Sequence, residues 1–463
     1  MDDRFDLVVL GGGSAGYAAA RTAAEAGARV AIAEQGPLGG LCILRGCMPS
    51  KAILASSNRL YQSQHAAELG IGTRTLTPDL PAIIARKRRL IEEFADYRIE
   101  QLNAPDIALV DGAARFLSAE RVQVGERVLS APKFIIATGS VPFVPKVPGL
   151  EEAGYLTSDD ALELEELPES VCVLGGGPIG LELGQFYSRL GAAVTLLQRS
   201  NCILSNEDDA VGTALEEYLR EDGMDVRCAT RLTAVAQRNG KKVLHLLQDD
   251  TESVIEVDHI LVATGRSPSL ESLNLGAAGV ESTSRGIATD TAMRTSNPDI
   301  FAVGDVTVSF DIVHVAIQQG EIAAHNALDA GPSQYMDYRV VPIVIFTEPQ
   351  YGRVGMTEKE ATAKNIPIVT ASYPFNDHGK ALCLGETRGF VKMIGHAQTG
   401  ELLGYQVLGP EGGELIHECI VALHYRATAQ DFMRIPHYHP TLAEILTYPA
   451  EEIAEQVAAR NGQ

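Results

Sequence analysis

The sequence predicts an α/β fold because a strand, a glycine-rich turn and a helix follow one another in two separate places. The first unit covers residues 5–26, and its turn reads Gly11-Gly12-Gly13-Ser14-Ala15-Gly16. The second begins with residues 171–174, and its turn reads Gly175-Gly176-Gly177-Pro178-Ile179-Gly180. In a dinucleotide-binding loop, glycines at this spacing let the backbone approach a pyrophosphate at the helix N-terminus. We therefore expect two Rossmann-like dinucleotide-binding domains.

The strand that follows each loop ends at a polar residue, at the same spacing from the first glycine. Residues 29–33 lead to Glu34, and residues 193–197 lead to Gln198. A carboxylate accepts hydrogen bonds from both hydroxyls of an unmodified ribose, so Glu34 predicts FAD in the first site. Gln198 carries no charge and Arg199 follows it, which favours NADPH slightly over NADH in the second site. A solvated Arg199 that binds nothing is the alternative.

Each half of the chain closes with an apolar strand and the tripeptide Ala-Thr-Gly. These strands are residues 134–139 and 260–265, and a further strand at 300–305 ends at Asp305. The repetition indicates an internal duplication, and prolines between the halves indicate a boundary near residue 150. We expect a FAD-binding domain at 1–150, an NAD(P)-binding domain at 151–272, a central segment completing the FAD-binding domain at 273–337, and a C-terminal α+β domain at 338–463.

The composition excludes several classes of function. A formal net charge of −22 opposes a nucleic-acid partner, and no basic stripe interrupts the acidic field. No apolar run is long enough for a membrane span, and the acidic first residues do not resemble a signal peptide. Seven cysteines, with one close pair, do not form a secreted disulfide framework. We expect a cytoplasmic protein with no membrane partner.

The close pair is Cys42 and Cys47, which follow the first glycine loop and predict redox chemistry. Two buried apolar cysteines or half a zinc site are the alternatives. Zinc requires a second Cys or His pair at short spacing, and none stands nearby, so we expect no metal. Cys47 also begins a predicted helix, where the dipole and free N–H groups would stabilise its thiolate.

These motifs, together with Val303-Gly304-Asp305 and the late segment His439-Pro440-Thr441-Leu442-Ala443-Glu444, resemble the flavoprotein pyridine nucleotide-disulfide oxidoreductases. Dihydrolipoamide dehydrogenase and glutathione reductase belong to that family. The resemblance extends over essentially the whole chain. It implies FAD, NADPH or NADH, a small-molecule or carrier-bound disulfide or dithiol substrate, and a C-terminal dimerisation domain in a homodimer.

By this resemblance, Cys42 exchanges with the substrate and Cys47 lies against the flavin. His439 would then donate and accept protons, since imidazole suits both roles near neutral pH, and Glu444 would hold its tautomer. The family's histidine reaches the disulfide of the other subunit, which makes the homodimer obligate. His437 is expected to have a supporting role.

The remaining expected contacts concern the cofactors. Lys51 would pair with Glu182 beside the flavin, and Asp305 would bond the ribityl chain. Ala114 would meet the adenine through its backbone, and the backbone near Val313 would cap the pyrimidine end of the flavin. The other expected contacts are Gly11, Gly13, Ser14, Ala15, Gly16, Gly40, Thr138 and Gly139 for FAD, and Gly175, Gly177, Gly180, Gln198, Arg199 and Gly265 for the second site or the junction beside it.

Leu41, Arg45 and Pro178 depart from the pattern of many relatives. Arg45 is a candidate to lower the thiol pKa or to attract an anionic disulfide. A dihydrolipoamide dehydrogenase-like activity is the first expectation, and an NADPH-dependent glutathione reductase-like activity is the second. A redox-inactive flavin-binding assembly protein is the non-enzymatic alternative. Mercuric reductases and large thioredoxin reductases use a C-terminal cysteine pair, which residues 458–463 lack, so neither is expected. Gln198, Arg199 and the region of Leu41 nevertheless resemble the mercuric reductases in some features.

Overall fold

The computed structural model describes residues 2–72 and 75–462. Its strands, in chain order, are β1 (Asp2–Arg4), β2 (Leu7–Leu10), β3 (Val30–Glu34), β4 (Ile107–Asp111), β5 (Ala114–Ser118), β6 (Arg121–Val124), β7 (Arg127–Ser130), β8 (Lys133–Ile136), β9 (Ser140–Pro142), β10 (Ser170–Leu174), β11 (Ala193–Leu197), β12 (Asp225–Arg227), β13 (Thr230–Arg238), β14 (Lys241–Gln248), β15 (Thr251–Val257), β16 (His259–Val262), β17 (Arg266–Pro268), β18 (Ile300–Ala302), β19 (Pro342–Ile345), β20 (Gln350–Gly355), β21 (Ile368–Pro374), β22 (Phe390–His396) and β23 (Leu402–Gly409).

The helices are α1 (Ser14–Glu25), α2 (Gly40–Leu44), α3 (Cys47–Gln64), α4 (Leu80–Leu102), α5 (Leu150–Ala153), α6 (Ser158–Ala161), α7 (Pro178–Leu190), α8 (Asp209–Glu221), α9 (Val313–Ala327), α10 (Glu358–Ala363), α11 (Gly379–Leu384), α12 (Gly412–His424), α13 (Ala429–Met433) and α14 (Thr447–Asn461). Among the described residues, no helix combines the length and the apolar character that a bilayer crossing requires.

The first compact unit comprises Met1–Ala52, Pro81–Phe143 and Gly265–Asp337. Its centre is a parallel sheet in the order β18-β8-β2-β3-β4. The whole of β2 is buried, as its uninterrupted apolar sequence predicts for a parallel strand that is covered on both faces. A second sheet in the order β1-β7-β6-β5 belongs to the same unit, and its apolar face packs into the same core.

Strand β2 is shorter than the sequence predicts. The predicted strand 5–10 begins only at Leu7 in the structure. Phe5 donates its backbone N–H to the carbonyl of Ser130, at the end of β7, at 2.9 Å. The chain therefore changes sheets at residues 5 and 6, which an apolar pattern cannot reveal.

The second compact unit comprises Ile53–Leu80, Val144–Thr264 and Tyr338–Gln463. It contains a parallel sheet in the order β12-β11-β10-β16, an antiparallel sheet β13-β14-β15, and a five-stranded antiparallel sheet β19-β20-β23-β22-β21. Helices α12 and α14 pack on the last of these around buried side chains that include Phe375, Tyr405, Phe432 and Ile453. The predicted domain boundaries stay a prediction, because compactness separates the chain only into these two units.

Two buried aspartates at the two ends of α8 connect this helix to other parts of the second unit. Asp208 accepts hydrogen bonds from Lys392 at 3.0 Å and from Gln406 at 2.7 Å. Although burial raises it, these bonds hold the pKa of Asp208 below its usual range. Asp222 accepts from Arg388 at 2.7 Å and from Tyr61 at 2.9 Å. Each carboxylate thus has the partners that a buried charge requires.

Glu348 lies in the same hydrogen-bond network, but fewer partners stabilise its buried negative charge. Its carboxylate accepts a hydrogen bond from Asn58 at 3.1 Å, and burial raises its pKa to about 7 although Arg189 opposes the shift. The folded protein therefore binds this proton more tightly than the unfolded chain does, so its contribution to stability is lost as the pH rises from about 4.5 to about 7.

We expect Glu348→Gln to remove the loss of stability that accompanies rising pH, because the amide cannot ionise. At pH 8 the apparent melting temperature of the E348Q holoprotein should exceed that of the wild type by a few degrees, and at pH 5 the two should agree. Thermal unfolding followed by circular dichroism at both pH values measures the difference. The exposed Glu217 of α8 gives a matched control, and an equal gain for E217Q would contradict the prediction.

Candidate active site

The first glycine loop joins β2 to α1 through backbone contacts that no side chain can replace. A Cβ at Gly11 would overlap the carbonyl oxygen of Ala137, and a Cβ at Gly16 would overlap that of Gly11. Gly11 also has a φ of +103°, which L-residues rarely adopt. These glycines let the sheet, the loop and the helix approach one another closely.

Gly13, between these two glycines, has open space in front of its Cα instead of a close backbone contact. Gly13 is the N-cap of α1, and no side chain of the described residues caps this helix. A Cβ at Gly13 would meet only Gly40 Cα, at 3.9 Å. Open backbone in front of free helical N–H groups fits a pyrophosphate. Ser14 and Ala15 open the helix at this point.

Glu34 ends β3 beside the same loop. Its carboxylate accepts the N–H of Gly12 at 2.6 Å and the N–H of Gly36 at 3.0 Å. Both bonds fix the side chain next to the glycine loop, where a ribose bound with its pyrophosphate on α1 would lie. The residues of this site fit FAD, as the sequence predicts.

The second loop repeats this geometry in the other unit. A Cβ at Gly175 would overlap the carbonyl oxygen of Ala263, and a Cβ at Gly180 would overlap that of Gly175. A Cβ at Gly177, by contrast, would meet no described heavy atom within 4 Å. Gly177 is the N-cap of α7, and Pro178 occupies the first turn, where a missing N–H costs nothing. The site fits a second dinucleotide.

Gln198 takes the position in this loop that Glu34 takes in the first. Its side-chain oxygen accepts the N–H of Gly176 at 2.9 Å, and its amide nitrogen donates to Ser200. Arg199 is exposed at the end of β11. Compared with Glu34 in the first loop, Gln198 makes the same hydrogen bond to its loop but carries no negative charge.

The Ala-Thr-Gly segment after β8 is held by a separate set of bonds within the first unit. Thr138 donates its hydroxyl to the carbonyl of Ser269 at 2.8 Å, and Gly139 adopts a φ of +69°. Ser140 donates its hydroxyl to Asp305 at 2.7 Å and accepts Arg266 Nε at 2.8 Å. The Ser140 hydroxyl thus links Asp305, which the sequence predicts to contact the flavin, to the guanidinium of Arg266.

The other predicted cofactor residues lie at the ends of elements. Ala114 begins β5 and is buried, and Val313 begins α9. Lys51 lies in the first two turns of α3, and Gly265 has a φ of +120°. Glu182 is buried on α7 and accepts the N–H of Phe346 at 3.0 Å. The expected Lys51–Glu182 pair and the expected cofactor contacts stay predictions.

The two thiols that the sequence predicts to be redox-active lie on consecutive helices. Cys42 is within α2, and Cys47 begins α3. A hydrogen bond with Cys47, followed by burial, raises the pKa of the Cys42 thiol, and the charge of Arg98 opposes this. Arg98 lies on α4 and Leu41 on α2, whereas Arg45 caps α2 at its C-terminal end. The predicted pair is thus brought into direct contact.

The late histidine forms the predicted dyad. His439 Nδ1 lies 2.9 and 3.0 Å from the two carboxylate oxygens of Glu444. A carboxylate can only accept, so Nδ1 carries the proton and Nε2 is left as the basic nitrogen. The side chain of His439 is 75% exposed. Its basic nitrogen is therefore accessible to a partner.

His437 does not share this dyad. Its Nε2 lies 2.6 Å from a carboxylate oxygen of Glu418, and its Nδ1 lies 3.0 Å from the carbonyl of Ile435. The imidazole of His437 is buried, with only 6% of the side chain exposed. Within residues 2–72 and 75–462, no three His, Cys, Asp or Glu side chains are grouped as a metal site.

Sequence reasoning missed Arg98, Tyr17 and Glu418. Arg98 and Tyr17 lie on different helices, and neither belongs to a motif that predicts an active-site contact. Glu418 is on α12, 19 residues before the histidine that it meets, and the two share no motif. Only the tertiary structure reveals these partners.

Comparison with known proteins gives a consistent result. Residues 5–320 match the family model described as pyridine nucleotide-disulphide oxidoreductase, and residues 341–450 match the dimerisation domain of that family. A mercuric reductase of Lysinibacillus sphaericus is 35% identical over 97% of this chain and 82% of its own length. A dihydrolipoyl dehydrogenase of Chlamydia muridarum is 36% identical over 96% of each chain.

A solved structure is also similar over nearly the whole chain. The HOCl-induced flavoprotein disulfide reductase RclA from Escherichia coli has a TM-score of 0.86 and 27% identity, over 96% of this chain and 99% of that one. Together, the matches confirm the predicted α/β fold class with its dimerisation domain.

Gly177→Ala tests the second glycine loop. The protein leaves room for a methyl group there, but a pyrophosphate on α7 would meet it. We expect the KM for the nicotinamide nucleotide to rise at least about 10-fold, or about 1.4 kcal/mol. Flavin content and melting temperature should not change. Gly276→Ala, where a Cβ also meets no described atom, is the control, and an unchanged KM for G177A would contradict this use of the loop.

Glu444→Gln tests the dyad. The amide can present its NH₂ group to Nδ1 and no longer fixes the tautomer, so kcat with a disulfide should fall by about 10- to 100-fold. Reduction of the enzyme by the nucleotide, measured by stopped flow, should be unaffected. Glu418→Gln removes the same charge beside His437 and should retain near wild-type turnover. Equal losses in both variants would show that His439–Glu444 has no special role.

Proposed function

Because the chain belongs to the pyridine nucleotide-disulphide oxidoreductase family, we propose that it exchanges electrons between a nicotinamide nucleotide and a dithiol or disulfide of the lipoamide type. The family consists of flavoproteins that use FAD and NAD(P)H and act on sulfur groups. The observation that carries the proposal is the contact between Cys42 and Cys47, on the two helices that follow the β2-α1-β3 unit whose loop fits FAD. The bound flavin would supply the two-electron connection between the nucleotide and this pair.

In the direction of disulfide reduction, the reduced pair performs two exchanges. The Cys42 thiolate attacks one substrate sulfur, which forms a mixed disulfide and releases the other substrate sulfur as a thiolate. Cys47 then attacks the Cys42 sulfur, which restores the Cys42–Cys47 disulfide and releases the second substrate sulfur. Two thiols leave and one disulfide forms in the protein, so electrons balance. Oxidation of a dithiol reverses these steps.

In this proposal His439, held by Glu444, transfers the protons in both exchanges. His439 Nε2 would remove the proton from the attacking thiol and return it to the leaving sulfur, and Glu444 would hold Nδ1. This role is useful because the hydrogen bond and burial at Cys42 disfavour its thiolate. We place the partner subunit's His439 against Cys42, in a homodimer with two composite sites on a two-fold axis. The matched dimerisation domain supports a dimer.

The cofactor sites are assigned on the same basis. Gly11, Gly13, Gly16 and Glu34 would hold the pyrophosphate and adenosine ribose of FAD, beside Gly40. Ala114, Thr138, Gly139, Asp305 and Val313 would contact the rest of FAD, and Lys51 and Glu182 would pair beside the flavin. Gly175, Gly177, Gly180, Gln198 and Arg199 would bind the nicotinamide nucleotide, with Gly265 beside them. We favour NADPH slightly over NADH because Gln198 is uncharged where the first loop has the carboxylate of Glu34.

The uncharged Gln198 also favours a second candidate function. A neutral Gln198 followed by an exposed Arg199 suits a 2′-phosphate, and NADPH commonly drives the reduction of small disulfides. A reductase of a low-molecular-weight disulfide, similar to glutathione reductase, is therefore the alternative. A cytoplasmic location is part of either proposal, since a reducing compartment keeps such thiols active.

Anaerobic reduction followed by reoxidation tests the function. We expect NADPH, and more slowly NADH, to bleach the flavin absorption of the purified protein. A long-wavelength thiolate-to-flavin band should then appear. Cys47→Ser should abolish that band, whereas Cys383→Ser, at an exposed thiol, should retain it.

The second step identifies the substrate. Reoxidation by lipoamide should be faster than by glutathione disulfide, and the reverse order would favour the alternative function. Turnover with Hg²⁺ in excess thiol but with neither disulfide would contradict both. An NADH preference would contradict only the nucleotide assignment.

A further inference from the structure

The loop that follows α13 and carries His439 is attached to the protein interior through the side chain of His437. Residues 434–436 and 438–440 are all exposed, whereas only 6% of the His437 side chain is exposed. Its imidazole packs on the buried ring of Phe432, with 5.3 Å between the ring centroids. The position of this loop therefore depends on what His437 contacts.

Both ring nitrogens of His437 face atoms that accept hydrogen bonds. Nδ1 lies 3.0 Å from the carbonyl oxygen of Ile435, and Nε2 lies 2.6 Å from a carboxylate oxygen of Glu418. A neutral imidazole has a single N–H group, so it could serve one of these acceptors and would turn a lone pair toward the other. The geometry therefore requires a second proton in the pair formed by His437 and Glu418.

This second proton belongs on the imidazole. Glu418 keeps 29% of its side chain exposed, so water helps to stabilise its negative charge, and imidazole is the stronger base of the two groups. A distance of 2.6 Å also agrees with a charge-assisted N–H···O bond, which is shorter than a neutral one. Burial raises the pKa of Tyr405 and of Cys419 well above their usual values, so both stay neutral nearby.

The two histidines of the loop are thus in different states. His437 donates from both nitrogens, whereas His439 donates from Nδ1 to Glu444 and keeps Nε2 basic. The bond to Glu418 fastens the loop to α12, which packs on the five-stranded antiparallel sheet through buried residues such as Ile416. The bond to the carbonyl of residue 435 closes the loop on itself.

We propose that His437, doubly protonated and bonded to Glu418, is a positioning residue that holds His439 where proton transfer to and from a thiol requires it. This inference rests on the proposed exchange, in which His439 Nε2 serves the redox pair. A displacement of about 1 Å in such a group can lower a rate about 100-fold. His437 itself contacts neither substrate nor cofactor in this proposal.

Nitrogen NMR of the holoprotein labelled in its histidine rings tests the protonation state without turnover. At pH 8 we expect both ring nitrogens of His437 to be protonated. The exposed His65, whose Nδ1 meets only the carbonyl of Tyr61, should show one protonated and one bare nitrogen. His437→Phe assigns the signal by removing it. A neutral imidazole at His437 in the wild type would overturn the proposal.

The same spectrum of Glu418→Gln gives the complementary result. The amide can donate an N–H group to Nε2, so the imidazole of His437 no longer needs its second proton and should show the neutral pattern at pH 8. A doubly protonated His437 in E418Q would contradict the role given to the carboxylate.

Kinetics of paired variants test the positioning role. Glu418→Leu has a similar size but cannot form the bond, so kcat with a disulfide should fall about 10-fold, and H437F should behave in the same way. E418Q keeps a bond to Nε2 and should retain near wild-type turnover. Glu414→Leu, at an exposed position one turn earlier on α12, is the matched control and should have no effect.

Reduction of each variant by the nucleotide should proceed at the wild-type rate, because that step does not involve the loop. Flavin content and melting temperature establish that the variants are folded. Full turnover in E418L and H437F would overturn the positioning role, as would equal losses in E418L and E418Q. If the wild type reduces no disulfide, the proposed function fails, while the NMR result still decides whether His437 holds the second proton.

Discussion

The contact between a loop glycine and a strand carbonyl supports the rest of this structure. Gly11 packs on the carbonyl of Ala137, and Gly175 packs on that of Ala263, with no space for a side chain. This approach brings the parallel sheet, the loop and the helix N-terminus together. In the first unit it also sets the position of α2, because Gly40 and Gly13 pack Cα against Cα. The location of Cys42 thus depends on a contact made entirely by backbone.

The duplicated loops combine one hydrogen bond with two different charges. Glu34 and Gln198 both accept an N–H from the middle of their loop, so the backbone of each loop is supported in the same way. The carboxylate adds a negative charge beside the loop, and the amide does not. The charge beside the loop therefore differs between the two copies, while the hydrogen bond that supports the loop is the same.

Local patterns account for most of what the sequence could predict. The glycine loops, the helix that begins at Cys47 and the His439–Glu444 pair each depend on residues near one another in the chain. Partners far apart in the chain could not be predicted, and the guanidinium of Arg98 on α4 lies over the ring of Tyr17 on α1 only in the folded structure. The sheet change at Phe5 and the buried environment of Glu348 likewise arise from tertiary packing. Apolar periodicity reports burial, but not which neighbours a buried group meets.

The backbone contacts at Gly11, Gly16, Gly175 and Gly180 also restrict how such a protein can change over time. Because no side chain fits at these four positions, none of these glycines can be substituted without a change in the shape of its loop. Divergence after a duplication must then proceed through the residues that border the loops, at strand ends and on neighbouring helices. A chain of this kind can acquire new ligands while its architecture stays fixed.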